Sequence, residues 1–168
     1  IGPTLARIAE YLTASGQSCE LIVVSDGSSD GTVLVAKGLA NTIPSLTVVE
    51  HPVNRGKGHA VRTGMLMAKG SRILFSDADL SVPIEEIEAL WQSLDDGFSI
   101  AIGSRGLPDS RILVRQPWYR QSMGKAFNLL VRILTGTGIR DTQCGFKLFT
   151  REAAMAVFEH QQVNGFGF

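Results

Sequence analysis

Short apolar runs and amphipathic helical stripes alternate along this chain, and that alternation narrows the available folds more than any other feature. Leu21–Val24, Leu46–Val49, Ile73–Phe75 and Ile100–Ile102 are brief and rich in β-branched residues, the pattern of strands buried on both faces. Between them run helical stripes. Pro3–Ala14 carries Leu5, Ile8, Ala9 and Leu12 at i, i+3, i+4, i+7, with Gly16 past its end. Val33, Ala36 and Ala40 mark a second helix, and Val61, Met65 and Ala68 a third that opens at Gly56–Gly58. Pro83 starts a fourth, with Ile84, Ile87, Leu90, Trp91 and Leu94 as its stripe. Met123, Phe127, Leu130, Val131 and Leu134 mark a long helix, and Arg151–Phe158 a short last one. Strands alternating with helices predict an α/β protein with a mainly parallel sheet and right-handed crossovers.

Ligands of such sheets bind beyond the carboxyl ends of the strands. Three polar or glycine-rich segments follow strand ends here: Ser25–Asp30, Asn54–Gly58 and Asp77–Ser81. In the first, glycines permit close backbone approach and Asp26 can accept hydrogen bonds from a ribose or base edge. Alternatively, its Ser and Asp residues cap the following helix, with Asp30 near the N-cap. The second, Asn-Arg-Gly-Lys-Gly, is either a phosphate-binding turn or a solvated basic one, and it lacks the P-loop spacing. The third follows Ile73-Leu-Phe-Ser. On an extended backbone Asp77 and Asp79 point to one side, where two carboxylates repel unless a divalent cation turns repulsion into coordination. A polar turn after a strand is the alternative. The segment Gly103–Pro117 has no core pattern and is long for a plain connector, so it reads as a functional loop.

The 168 residues suit a single domain able to bury a core. Sixteen basic and sixteen acidic residues cancel, so no global field recruits nucleic acid. Cys19 and Cys144 lack CxxC spacing, and His51, His59 and His160 lack the pairing of a zinc helix. No apolar run approaches the ~20 residues of a membrane span.

The series Val24–Asp30 (VSDGSSD), Asn54–Gly58 (NRGKG), Asp77–Asp79 (DAD), Gly103–Arg105 (GSR) and Asp141–Thr150 (DTQCGFKLFT) resembles the family 2 glycosyltransferases, which have the GT-A nucleotide-sugar fold. Within them, NRGKG followed by Ala60-Val61-Arg62, together with DTQCGFKLF, most resembles the dolichyl-phosphate and polyprenyl-phosphate β-glucosyltransferases. The resemblance runs over nearly the whole chain in the right order. It implies one catalytic domain over residues 1–168, incomplete at both ends. A first strand would precede Ile1 beside Leu21–Val24, and an acidic segment would follow Phe168.

The resemblance also implies roles. Asp26, Gly27, Ser28 and Asp30 would hold the uridine part of a nucleotide sugar, with Lys57 nearby. Asp77 and Asp79, around Ala78, would hold Mg²⁺ or Mn²⁺ on the diphosphate, with Asp79 counted among the catalytic residues together with Arg105 and Arg120. Arg105, Arg115 and Arg120 would face the acceptor phosphate, and Gln143 to Lys147 would line the sugar side. Many relatives carry Asp where this chain has Ser25. The implied partners are UDP-glucose, a polyprenyl or dolichyl phosphate and the cytoplasmic face of a membrane. The rival readings are mannosyl transfer from GDP-mannose, a nucleotide-sugar-binding module without catalysis, and a haloacid-dehalogenase-type phosphohydrolase, whose site also begins with a strand ending Asp-x-Asp.

Overall fold

In the computed structural model, residues 1–104, 136, 141 and 143–165 are described. The first helix, α1 (Gly2–Ser15), ends where Gly16 takes the left-handed conformation at φ 64° and bonds back to Thr13 O. Then follow β1 (Leu21–Asp26), α2 (Thr32–Ala40), β2 (Leu46–His51), α3 (Lys57–Met67) and β3 (Arg72–Ser76). A 3₁₀ turn (Ile84–Glu86) behind Pro83 leads into α4 (Ile87–Asp95), so the expected fourth helix begins with a tighter first turn. Next comes the short strand β4 (Ile100–Ile102). Last come β5 (Phe146–Thr150) and α5 (Arg151–Phe158), the latter capped by Thr150 Oγ1 accepting from the Ala153 N–H. The helix expected over Met123–Leu134 and nearly all of the Gly103–Pro117 loop lie outside the described residues.

All four expected strands are present. β1 and β2 are parallel, from Leu21 opposite Leu46 to Asp26 opposite His51. The remaining three form a sheet of order β3-β5-β4, in which β5 runs antiparallel to both neighbours. β5 is the element that the strand pattern left out. Phe-Lys-Leu-Phe-Thr has no β-branched run and lies inside a segment whose interest was chemical. Its register brings Lys147 opposite both Phe75 and Ile102. The start of β5 therefore lies between the carboxyl ends of β3 and β4, and residues 143–147 reach the same rim as the Asp77–Ser81 turn.

Three apolar clusters hold these layers. Ile87, Leu90 and Leu94 of α4 pack with Ile8 of α1 and with Phe146 and Leu148 of β5. Val61 and Met65 of α3 pack with Ile73, Phe149, Ala154 and Phe158. Leu5, Ala36 and Leu46 join α1, α2 and β2. Each fully buried side chain of this size contributes roughly 1.5–3 kcal/mol from apolar burial. Ile22 of β1 also packs on the α3 cluster, so α3 spans both sheets. Among the described residues β1 pairs only with β2, and β3 only with β5.

Candidate functional site: a carboxylate-and-lysine rim at the strand ends

Asp26, the last residue of β1, fastens the glycine turn that follows β2. Its Oδ1 accepts the Arg55 N–H at 3.0 Å and its Oδ2 the Gly56 N–H at 2.6 Å. His51 Nδ1 lies 3.2 Å from Oδ1, and the other ring nitrogen of His51 lies 3.2 Å from Thr63 Oγ1 on α3. Burial, the largest single influence on this carboxyl, pushes its pKa up. The Arg55 N–H, His51 and the Gly56 N–H together overcome that and hold it below the ordinary value. Gly27, at φ +69°, presses its backbone against Asn54, where a Cβ would stand 2.6 Å from Asn54 N. The first two loops are thus one packed unit.

The Asn54–Gly58 turn is spoken for from its other side as well. The Gly58 N–H donates to both Asn164 O and Gly165 O at 3.0 Å. A Cβ on Gly56 would overlap Asn164 O, and one on Gly58 would overlap Val163 O. The glycine spacing here serves close approach of the 163–165 backbone. The turn is not a backbone phosphate cradle, since the N–H groups of Arg55, Gly56 and Gly58 already have acceptors. What it offers an anion is the Lys57 side chain at the head of α3.

β3 ends at Ser76, and Asp77–Leu80 form a turn in which the Leu80 N–H bonds Asp77 O at 3.2 Å. The period-2 geometry expected for Asp77 and Asp79 therefore does not apply, because the backbone is no longer extended there. Leu80 sits at φ 48°, a left-handed conformation that costs a non-glycine residue roughly 1–2 kcal/mol. The Thr4 hydroxyl of α1 bonds Ala78 O at 2.9 Å and braces the turn.

Each carboxylate has its own partner. Asp77 Oδ1 meets Lys57 Nζ at 2.6 Å, with both side chains about a third exposed (33% and 30%). The same ammonium lies 5.5 Å from the centre of the Phe75 ring. Asp79 Oδ1 accepts both the Ser81 hydroxyl at 2.7 Å and the Ser81 N–H at 3.0 Å. The Ser81 hydroxyl is the chief reason its carboxyl is held below the usual range.

Opposite them stands the start of β5. The Asp77 N–H donates to Gly145 O at 2.9 Å, and a Cβ on Gly145 would run into the Asp77 carboxylate. Cys144 and Asp141 are buried at 3% and 5% exposure. Lys147 is half-buried, and burial first of all, with Lys57 adding to it, pulls its pKa down.

Of the residues expected at the site, the fold brings together Lys57 and Asp77, with Asp26 holding the turn that carries Lys57. Ser28 bonds Ser25, Asp30 Oδ1 accepts from the Thr32 N–H at the head of α2, and Gln143 is exposed near the rim. Asp30 thus takes the Thr32 N–H from one residue before the N-cap, which is Gly31 and has no side chain to cap with. Arg105, Arg115 and Arg120 lie outside the described residues. Sequence reasoning missed the clamping role of His51 and the steric role of Gly145. The first signal was available, since His51 closes β2 in register with Asp26 at the end of β1.

Among the described residues, two sets have metal-binding chemistry. Asp26, His51 and His59 each bring one ligand atom within 4.8 Å of the others. There, however, Asp26 already serves two backbone N–H groups, and the Arg55 guanidinium lies 3.5 Å from His59 Nε2, which opposes a cation. Burial first, then His51 and Arg55, lower the His59 pKa. Asp77 and Asp79 carry the donor type that a hard divalent ion takes. They offer carboxylate oxygens, a cation already rests on Asp77, and the absent Cβ of Gly145 leaves the room its carboxylate occupies.

Among the described residues, no helix is long and apolar enough to cross a membrane. Residues 1–158 match the family described as glycosyl transferase family 2. The chain is 42% identical over 161 residues to a dolichyl-phosphate beta-glucosyltransferase of Drosophila melanogaster, covering 89% of this chain and 48% of that protein. It is 39% identical to the human dolichyl-phosphate beta-glucosyltransferase, with 89% and 48% covered. With that of Saccharomyces cerevisiae it shares 30% identity over 91% of this chain and 51% of the other. The chain spans about half the length of the curated relatives it matches. A solved structure titled "Crystal Structure of a Mycobacterial Protein" superposes with a TM-score of 0.61 over 90% of this chain and 50% of that one, at 23% identity, a likeness of fold alone. With its strand-end site and this match across nearly its whole length, the chain belongs to glycosyl transferase family 2 and has the α/β, GT-A type of fold.

Proposed function

We propose that the protein carrying this chain is an inverting glycosyltransferase that moves glucose from UDP-glucose to dolichyl or polyprenyl phosphate. On this reading residues 1–168 belong to one catalytic domain working at the cytoplasmic face of a membrane. The observation that carries the reading is the convergence of NRGKG, DAD and DTQCGFK on one rim, in a chain whose relatives bear the name dolichyl-phosphate beta-glucosyltransferase.

The chemistry needs no dedicated base, because a phosphate monoester is already anionic at neutral pH and can attack the anomeric carbon directly. The demanding event is departure of the nucleoside diphosphate, whose negative charge grows as the bond breaks. Asp77 and Asp79 would hold Mg²⁺ or Mn²⁺, which supplies positive charge to the leaving diphosphate. Lys57, fixed at the head of α3, adds a second positive group on the same side. Asp26, Gly27, Ser28 and Asp30 would shape the nucleoside end, and Gln143 the sugar side. Arg105, Arg115 and Arg120 would clamp the acceptor phosphate and fix the line of attack. One displacement on the face opposite the leaving group inverts the anomeric centre and gives a β-linked lipid-phosphate sugar.

The test is product analysis. The protein is incubated with dolichyl phosphate and labelled UDP-glucose or GDP-mannose, with Mg²⁺ or Mn²⁺. A β-linked glucosyl lipid from UDP-glucose alone is the expected product. A mannosyl lipid, or tight UDP binding without any product, would replace this reading by one of its rivals. Asp77→Ala and Asp79→Ala should each abolish transfer while the fold persists. Wild-type turnover by either variant would refute the metal assignment.

A further inference from the structure

We propose that Lys57 is the resident counter-ion of the site: it neutralises Asp77 when no divalent cation is bound, and must leave that carboxylate before a cation can take it. The inference rests on the reading that Asp77 and Asp79 are the metal-holding pair.

The geometry favours exchange over sharing. Lys57 Nζ stands 2.6 Å from Asp77 Oδ1, a charge-assisted contact that sets a positive charge against the carboxylate a metal would use. The backbone on either side of Lys57 is clamped. The Gly56 N–H is held by Asp26 Oδ2, and the Gly58 N–H by Asn164 O and Gly165 O. Lys57 cannot retreat by moving its turn, so only its side-chain torsions can carry the ammonium away. Asp77 is restrained too, since its N–H bonds Gly145 O and its carboxylate rests where a Gly145 Cβ would be. The two groups meet because both backbones are fixed to let them meet.

Charge explains why such a counter-ion is useful. Asp77, Asp79 and buried Asp141 face Lys57 and half-buried Lys147 across this rim. Without Lys57, the Asp77 carboxylate would attract any dication. With it, a dication arriving alone must displace an ammonium that then remains nearby as a repulsive neighbour. A diphosphate arriving with the dication gives that ammonium a new anion to pair with. Lys57 therefore makes cation binding depend on the nucleotide diphosphate, so that the two bind together far better than either alone.

Mn²⁺ affinity, read from the electron paramagnetic resonance signal of the free ion, tests this with and without saturating UDP. The proteins compared are wild type, Lys57→Met, Lys57→Arg, Asp77→Asn and Asp79→Asn. Lys57→Met should bind Mn²⁺ about tenfold more tightly than wild type when UDP is absent, as expected for removing one close positive charge from a partly exposed site. The improvement that UDP confers should shrink by a similar factor, and Lys57→Arg should stay near wild type. A merely structural role for Lys57 would weaken Mn²⁺ binding or leave it unchanged. If Lys57→Met binds Mn²⁺ no better than wild type while Asp77→Asn and Asp79→Asn lose it, the counter-ion proposal is wrong and the metal assignment stands. If both Asp→Asn variants keep wild-type affinity, the metal assignment falls and takes the proposal with it. Melting curves for each variant confirm that folded protein is being titrated, and Lys57→Gln repeats the test with a polar side chain.

Discussion

Replacing Gly145 by Ala adds a single methyl group where the residue before β5 packs on the Asp77 carboxylate. Gly145 has no positive φ, so alanine meets no backbone penalty there, and the obstacle is the carboxylate alone. The two backbones cannot part cheaply, because the Asp77 N–H bonds Gly145 O at 2.9 Å and the strands behind are paired from Ser76–Phe146 to Arg72–Thr150. The side chain of Asp77 must turn instead. An off-rotamer side chain costs about 0.5–1.5 kcal/mol. The lost Lys57 contact, a third exposed and screened by water, adds at most about 1 kcal/mol. Replacing glycine stiffens the unfolded chain and returns roughly 0.4–1 kcal/mol. The net loss is therefore about 1 kcal/mol, or a fall in Tm of about 2–4 °C for a domain of this size. Function should suffer far more, since a carboxylate turned from the site costs roughly 10- to 100-fold in metal-dependent binding, as shifts in groups that orient metal ligands do. Calorimetric titration of UDP with Mn²⁺, beside thermal melts, measures both quantities. Wild-type binding at unchanged Tm would refute the placement of Asp77 against Gly145.

Three further outcomes are expected, the first two from the same geometry and the third from the proposed role of Arg105. Asp26→Asn removes an acceptor from the Arg55 and Gly56 N–H groups and should cost roughly 1–3 kcal/mol at pH 7, read by urea unfolding. Because the Asp26 carboxyl is held below its unfolded value, its contribution is complete above about pH 4 and fades as pH falls through the folded value; the variant's stability should therefore decline less steeply below pH 4 than wild type's, and equal slopes would count against the clamp. Gly58→Ala gains helix propensity at an α3 position but collides with Val163 O, so it should break the bonds of the residue-58 N–H to Asn164 O and Gly165 O and speed exchange of that amide; unchanged protection of the residue-58 amide would refute the close approach. Arg105→Ala should weaken use of polyprenyl phosphate far more than binding of UDP-glucose, and equal loss of both at unchanged Tm would move Arg105 to the donor side.

The alternation of strands and helices was legible from the sequence because short apolar runs and 3.6-residue stripes are local patterns, although β1, β2 and β4 are only partly buried rather than buried on both faces as their apolar runs implied. Local chemistry was legible too: Gly16 stops α1, Pro83 opens the 3₁₀ turn before α4, and Asp30 accepts the first N–H of α2 from beside its N-cap, Gly31. The three polar segments were found because polar groups collect where apolar strands stop; the parallel pairing of β1 and β2 brings the first two to one end, and the Lys57–Asp77 pair brings the third beside them. What the sequence did not contain was pairing between distant segments. β5 shows no strand pattern of its own and becomes a strand because β3 and β4 supply hydrogen-bond partners on both sides. The period-2 argument for Asp77 and Asp79 failed because β3 ends at Ser76, where the tertiary bond to Gly145 and the turn closed at Leu80 take over. The glycines of Asn54–Gly58 looked like room for a phosphate and proved to be room for the chain's own carbonyls at 163–165. Composition and periodicity are local quantities, so they set which elements form and which end of the sheet carries the polar groups. Which carboxylate meets Lys57, and which glycine must lack a side chain for it to do so, depends on contacts between residues far apart in the chain, and only the folded structure decides them.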